Sequence, residues 1–131
     1  IGIKKLAPFV KIIQGGKGFL NVKNFALKSN PPKSIHRKVA NEAFNLLYNE
    51  VISDKWDIVV ADEIAGAVSS GVLSINKALK LIKDKPLRLD LILTGHYAPK
   101  ELMKQADLIT EMMEIKHPFK KGILAKKGID F

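Results

Sequence analysis

Asp57-Ile58-Val59-Val60-Ala61-Asp62-Glu63 decides the fold. Its middle is a continuous apolar run, Ile58 to Ala61, with no alternation of apolar and polar residues. A run of this kind predicts a strand covered on both faces, as in a parallel sheet wrapped by helices. The acidic pair that closes it falls at the strand's carboxyl end, where open α/β sheets take their ligands.

Working outward from that strand, the same pattern returns. Upstream, Ser34 suits an N-cap, and Ile35, Val39, Ala43, Phe44, Leu47, Val51 and Ile52 keep helical spacing up to Ser53-Asp54, which predicts a long helix. Downstream, Ser74 opens a shorter helix through Lys83, with Ile75, Ala78, Leu79 and Ile82 on one face, stopped by Asp84-Lys85-Pro86. Leu89 to Gly95 predicts a second buried strand, Pro99 fits the first turn of a helix to about Gln105, and Leu108 to Ile115 predicts a last strand. Near the start, Phe9 to Ile13 predicts a short strand running into the loop Gln14-Gly15-Gly16-Lys17-Gly18, followed by an irregular connection to Lys33. Strands alternating with helices predict an α/β fold: one domain over residues 1–131, mostly parallel, with helices on both faces.

Composition limits the function. A chain of 131 residues with 47% apolar residues supports one buried core. No stretch reaches the ~18–20 uninterrupted apolar residues of a membrane span, and no signal peptide opens the chain, so a cytoplasmic protein is expected. The absence of cysteine excludes disulfides, thiolate zinc sites and cysteine nucleophiles. Formal net charge is +9. It is concentrated early, because no Asp or Glu precedes Glu42 whereas Lys4, Lys5, Lys11, Lys17, Lys23, Lys28, Lys33, Arg37 and Lys38 do. Either an anionic partner or a solvated lysine-rich surface accounts for this. Arginine occurs only at positions 37 and 88, and no aromatic-interleaved basic motif is present, which disfavours nucleic acid as the partner.

Three strand ends could carry chemistry. Asp62-Glu63 after four apolar residues has the pattern of a Walker B strand, whose carboxylates hold magnesium directly or through water; the bland alternative is a helix cap or a lysine pair. Thr94-Gly95-His96 offers a hydroxyl, an amide and a titratable ring to a phosphate or sugar, although a histidine there also serves as an ordinary turn residue. The glycine loop fails the P-loop pattern G-x-x-x-x-G-K-[ST], because Gly18 follows Lys17 where a hydroxyl is needed. A tight turn is its favoured reading. Phe19 is apolar within a loop, either a core anchor or part of a ligand face. His36 has no second ligand at helical spacing and is expected at the surface; Met103, Met112 and Met113 are expected in the core.

From Trp56 to Phe131, a series of segments stands in order: Asp57 to Ile64, Gly71-Val72-Leu73, Leu91 to His96, Ala98-Pro99, Ala106 to Met112, Lys116-His117-Pro118-Phe119 and Gly128-Ile129-Asp130-Phe131. In order and spacing they resemble the P-loop-type ATP:corrinoid adenosyltransferases, which convert cob(I)alamin to adenosylcobalamin. Ile12-Ile13 through Gly18-Phe19 is similar, over a shorter stretch, to that family's strand and glycine-phenylalanine loop.

The resemblance implies a RecA-like P-loop NTPase fold, usually in a homodimer, that binds ATP and Mg2+ beside cobalamin or another corrinoid. Reduced cobalt attacks the 5′ carbon of ATP and triphosphate leaves. It implies Asp62 and Glu63 at the metal, Thr94, Gly95 and His96 at the nucleotide, Gly18, Phe19 and Asn21 at the corrinoid, and a flavodoxin-type or other reductase as partner. No catalytic residue is assigned, since such chemistry needs positioning and charge neutralisation more than a protein nucleophile. Three departures accompany it. The family's P-loop is not in this sequence, and the start at Ile1 leads us to expect it upstream in a longer protein. Asn21 stands where the family often has tryptophan, and His96 where it often has arginine, so a fixed positive charge becomes a pH-dependent one. Two other readings stay open: a degenerate, non-catalytic corrinoid- or nucleotide-binding relative, and, from charge alone, a nucleic-acid-binding ATPase.

Overall fold

The computed structural model describes residues 2–15 and 32–124. Within them run α1 (Lys33–Ile52), β1 (Ile58–Ala61), α2 (Ile64–Ser69), α3 (Ile75–Asp84), β2 (Asp90–Leu93) and α4 (Lys100–Met103), with 3₁₀ turns at Ile3–Leu6 and Pro118–Lys121. The long helix and the helix after Ser74 form as the apolar spacing predicts, but Ser34, expected as the N-cap, lies inside α1, which starts at Lys33 behind Pro32. Ser74 sits extended at φ −72°, ψ 136°, and α3 stops where Lys85 turns extended, the conformation a following Pro86 imposes.

β1 and β2 pair in parallel, with Ile58 opposite Asp90 and Ala61 opposite Leu93. This register brings the two carboxyl ends level. α2 and α3 make the crossover between the strands, and the core gathers Phe44 and Val51 from α1, Val68 from α2, Ala78 and Leu81 from α3, and Leu102 from α4. Leu81, Leu89 and Val51 are its largest fully buried side chains.

Several expectations are corrected. The strands are not covered on both faces among the described residues. Ala61 is buried, whereas Ile58 and Val60 on the opposite face are 58% and 55% exposed, and Ile92 beside them is exposed too. The described helices therefore pack one face of the sheet. Phe9 to Ile13 forms no strand; it lies beside α1, where Lys11 Nζ lies 2.5 Å from Glu50 Oε1 and Gly15 closes on Ala43. Leu108 to Ile115 likewise forms no ladder, and Leu108, Met112, Met113 and Ile115 are exposed. Strand propensity needs a neighbour with free N–H and C=O groups, and no described strand supplies one there. Met103 is exposed as well, so none of the three methionines is a core residue.

His36 reverses its expectation, being buried at 6% exposure. It stands four and eight residues before Ala40 and Phe44, so it shares the inward stripe, while Ile35 and Ile52 face solvent. α2 was not anticipated. Its inward residues Ile64, Ala65 and Val68 do carry helical spacing, but over too short a span to stand out beside the strand.

A polar cluster ties α1 to α3 away from the strand ends. Asp84 accepts hydrogen bonds from Lys80 and from the Tyr48 hydroxyl at 2.5 Å. The Lys80 bond, then the Tyr48 bond, hold the Asp84 carboxyl below its ordinary range, and the same bond to Asp84 raises the Lys80 ammonium. A depressed carboxyl contributes stability above the ordinary carboxylate range, lost as pH falls through its folded value; the raised lysine's contribution is lost only as pH rises through its own. Thermal melts of Asp84→Asn are accordingly expected to lose less stability than the natural sequence as pH drops below about 4. Parallel melting curves for the two proteins over that range would contradict the assignment.

Candidate functional site

Asp62 and Glu63 leave the end of β1, and Thr94, Gly95 and His96 leave the end of β2. The parallel register continues one step beyond the strands, as Thr94 N–H donates to Ala61 O at 3.2 Å. Thr94 then joins the two groups. Its hydroxyl donates to Asp62 Oδ1 at 2.6 Å and accepts from the Glu63 backbone N–H at 3.0 Å, while its carbonyl accepts from Ala65 N–H at 3.0 Å. Four of the five residues assigned to metal and nucleotide, Asp62, Glu63, Thr94 and Gly95, thus meet at one junction. His96 follows them and lies near Gly66.

Glycine makes the junction possible. Gly95 has φ +140°, and a Cβ there would stand 2.6 Å from Gly66 N and 3.1 Å from Ala65 Cβ. Glu63 itself holds φ 59° and opens α2 without a side-chain capping bond. Its carboxylate instead extends over Gly66, where a Cβ would meet Glu63 Oε2 at 2.8 Å. Sequence reading passed over Gly66, four residues after Asp62, although an isolated glycine within helical spacing signals close approach.

Both carboxylates are exposed, so the desolvation cost expected for a buried pair does not arise. Neither bland role expected for them occurs among the described residues: no lysine, arginine or histidine pairs with either, and neither caps α2. No group of three or more potential metal-ligating side chains assembles there. Two adjacent oxygen donors nevertheless fit magnesium, which commonly keeps its waters and takes one or two carboxylates together with substrate phosphates.

The segment after α4 carries an ion pair and a 3₁₀ turn of its own. Glu114 pairs with Lys120 at 2.5 Å. That bond, together with the Lys120 charge, holds its carboxyl below the ordinary range. His117 Nδ1 accepts from Phe119 N–H at 3.1 Å and starts the 3₁₀ turn. Gly18, Phe19 and Asn21, expected at a corrinoid, lie outside the described residues.

Parallel strands whose carboxyl ends gather acidic and hydroxyl groups define an α/β protein of the class that takes its ligands beyond the strand ends. The chain belongs to the family described as ATP:corrinoid adenosyltransferase BtuR/CobO/CobP, whose model matches residues 2–131. A corrinoid adenosyltransferase of Sinorhizobium sp is 33% identical over 94 residues, 71% of this chain and 44% of that protein. One of Pseudomonas aeruginosa is 38% identical over 74 residues, 56% and 36% of the two chains, and one of Escherichia coli is 28% identical over 75 residues, 57% and 38%. The chain thus spans less than half the length of these curated relatives.

Proposed function

We propose that this chain is the later part of an ATP:corrinoid adenosyltransferase, which moves the 5′-deoxyadenosyl group of ATP to reduced corrinoid cobalt in adenosylcobalamin biosynthesis. The observation that carries the reading is the junction itself. Asp62 and Glu63, free of caps and ion pairs among the described residues, are held by Thr94 where two parallel strands end.

The reaction breaks the C5′–O bond of ATP and forms a cobalt–carbon bond, with the electron pair supplied by the reduced corrinoid and triphosphate leaving. Asp62 and Glu63 would hold the magnesium ion, which when bound neutralises the triphosphate. The Thr94 hydroxyl orients the Asp62 carboxylate and anchors the Glu63 backbone, and Thr94, Gly95 and His96 are assigned to the nucleotide. Gly18, Phe19 and Asn21 are assigned to the corrinoid. The whole protein is read as one RecA-like P-loop domain with helices on both sheet faces. It is further read as a cytoplasmic homodimer served by a flavodoxin-type or other reductase. No helix among the described residues is long and apolar enough to cross a membrane.

The test is anaerobic incubation of the full-length protein with ATP, magnesium and chemically reduced cobalamin, watching for the light-sensitive adenosyl product. Its absence, with corrinoid or nucleotide still bound, would replace the enzyme by a non-catalytic binder. Two variants examine the junction. Thr94→Val removes the hydroxyl from the Asp62 carboxylate and the Glu63 backbone N–H and is expected to lower transfer about tenfold or more, with Thr94→Ser restoring most of it. Gly66→Ala displaces the Glu63 carboxylate, a flexible neighbour, so it is expected to raise the magnesium requirement severalfold with little change in melting temperature. Transfer by Thr94→Val at the natural rate would remove Thr94 from the site, and an unchanged magnesium requirement in Gly66→Ala would remove Gly66.

A further inference from the structure

A cavity of about 470 Å³ opens between α1 and the turn that joins α2 to α3, lined in part by Arg37, Asn41, Gly71 and Ser74. It is separate from the acidic junction, because α2 runs from Glu63 to the turn at Gly71 and its six residues put about 9 Å between its ends. Positive charge converges on this cavity. Arg37 Nε donates to Gly71 O at 3.2 Å, which fixes the plane of the guanidinium and leaves its terminal nitrogens unspent among the described residues. The Lys33 ammonium stands over the same glycine, 3.5 Å from the position of a Cβ there. Lys77 Nζ reaches the rim by donating to Asn41 Oδ1 at 2.5 Å.

This arrangement violates two local rules. Lys33 and Arg37 are like charges at i,i+4, a mutually destabilising pair on a helix. They also occupy the opening turns of α1, which has no acidic residue in its first turn, so they face the positive end of its dipole. Among the described residues no carboxylate comes within ion-pair distance of Lys33, Arg37 or Lys77, although Lys11, Lys80, Arg88 and Lys120 each find one. Local conflicts that no described residue compensates concentrate where a ligand compensates them.

We propose that this cavity is a binding site for a phosphate or polyphosphate anion, clasped by the Arg37 guanidinium and the Lys33 ammonium over Gly71. The planar donor fork of arginine suits phosphate oxygens. The Ser74 hydroxyl, which makes no capping bond, lines the same wall.

The experiment is a titration of the full chain with inorganic phosphate, tripolyphosphate and acetate at constant ionic strength, followed by proton–nitrogen NMR. Saturable shifts are expected at the Arg37 side-chain Nε and the Gly71 and Ser74 amides with a phosphate probe. Arg37→Gln and Lys33→Gln should each weaken binding about tenfold or more, whereas Lys80→Gln, whose ammonium pairs with Asp84, should change it by less than about twofold. Saturation by tripolyphosphate alone assigns the site to polyphosphates; saturation by inorganic phosphate extends it to single phosphate groups. Shifts that never saturate, acetate binding as tightly as phosphate, or Lys80→Gln weakening binding as much as Arg37→Gln would each overturn the proposal. Lys33 is exposed at the first residue of α1, so its substitution gives a reading even if Arg37→Gln disturbs the turn.

Discussion

In the full-length protein, Asp62→Asn combined with Glu63→Gln is expected to reduce adenosyl transfer at least about 100-fold, the scale on which charge-stabilising groups act in active sites. The fold should survive. Both side chains are exposed, neither forms an ion pair or a cap among the described residues, an Asn at 62 keeps the acceptor oxygen that the Thr94 hydroxyl needs, and the Glu63 bond to Thr94 is made by the backbone. What is removed is the negative charge that attracts a divalent cation. The separation between an intact melting temperature and lost transfer distinguishes a ligand role from a structural one. Anaerobic assays at saturating ATP and reduced corrinoid, beside thermal melts of the same preparations, make the comparison. Transfer within about twofold of the natural protein would remove the pair from the chemistry.

Gly95→Ala is expected to do the opposite, damaging the fold and the activity together. The left-handed φ of +140° costs an L-residue about 1–3 kcal/mol. The added methyl would also meet Gly66 N at 2.6 Å and Ala65 N at 3.2 Å. These are backbone atoms of α2, which cannot swing aside as a side-chain end can, so overpacking adds about 1–3 kcal/mol more. A domain of this size has only about 5–15 kcal/mol of stability in total. Gly122→Ala is the control, since that glycine also has positive φ, +77°, but nothing within 4 Å of the new Cβ. Thermal melts should show Gly95→Ala well below Gly122→Ala. Equal losses would mean that close approach of α2 to the β2 end contributes nothing.

The parts of this structure legible in the sequence are those that depend on one element at a time. The extent of α1, the start of α3 after Ser74 and the Pro86 stop announce themselves through spacing and backbone chemistry. So do the two apolar runs that became β1 and β2, and the meeting of Asp62 with Thr94 followed once both were placed in parallel. Where a neighbour decides the outcome, the sequence was mute. Phe9 to Ile13 and Leu108 to Ile115 have strand composition, yet among the described residues they find no ladder to join. Ile58 and Val60 carry the apolar signature of a doubly covered strand while lying exposed. His36 was misplaced because the inward stripe of α1 is rotated from the one its aliphatic residues suggest. Gly66 was overlooked because its significance lies in Glu63 Oε2 and the Gly95 backbone, contacts that exist only after folding. The basic cavity beneath Gly71 was visible as charge excess in the first third of the chain, but not as a place.

The central claim is that Asp62 and Glu63 hold the cation that accompanies ATP. Isothermal titration of ATP into the full-length natural protein and into the Asp62→Asn, Glu63→Gln variant, each with and without magnesium, tests it most directly. Magnesium is expected to tighten ATP binding about tenfold or more in the natural protein and to leave the variant's affinity unchanged. A magnesium effect of the same size in both proteins would contradict the claim.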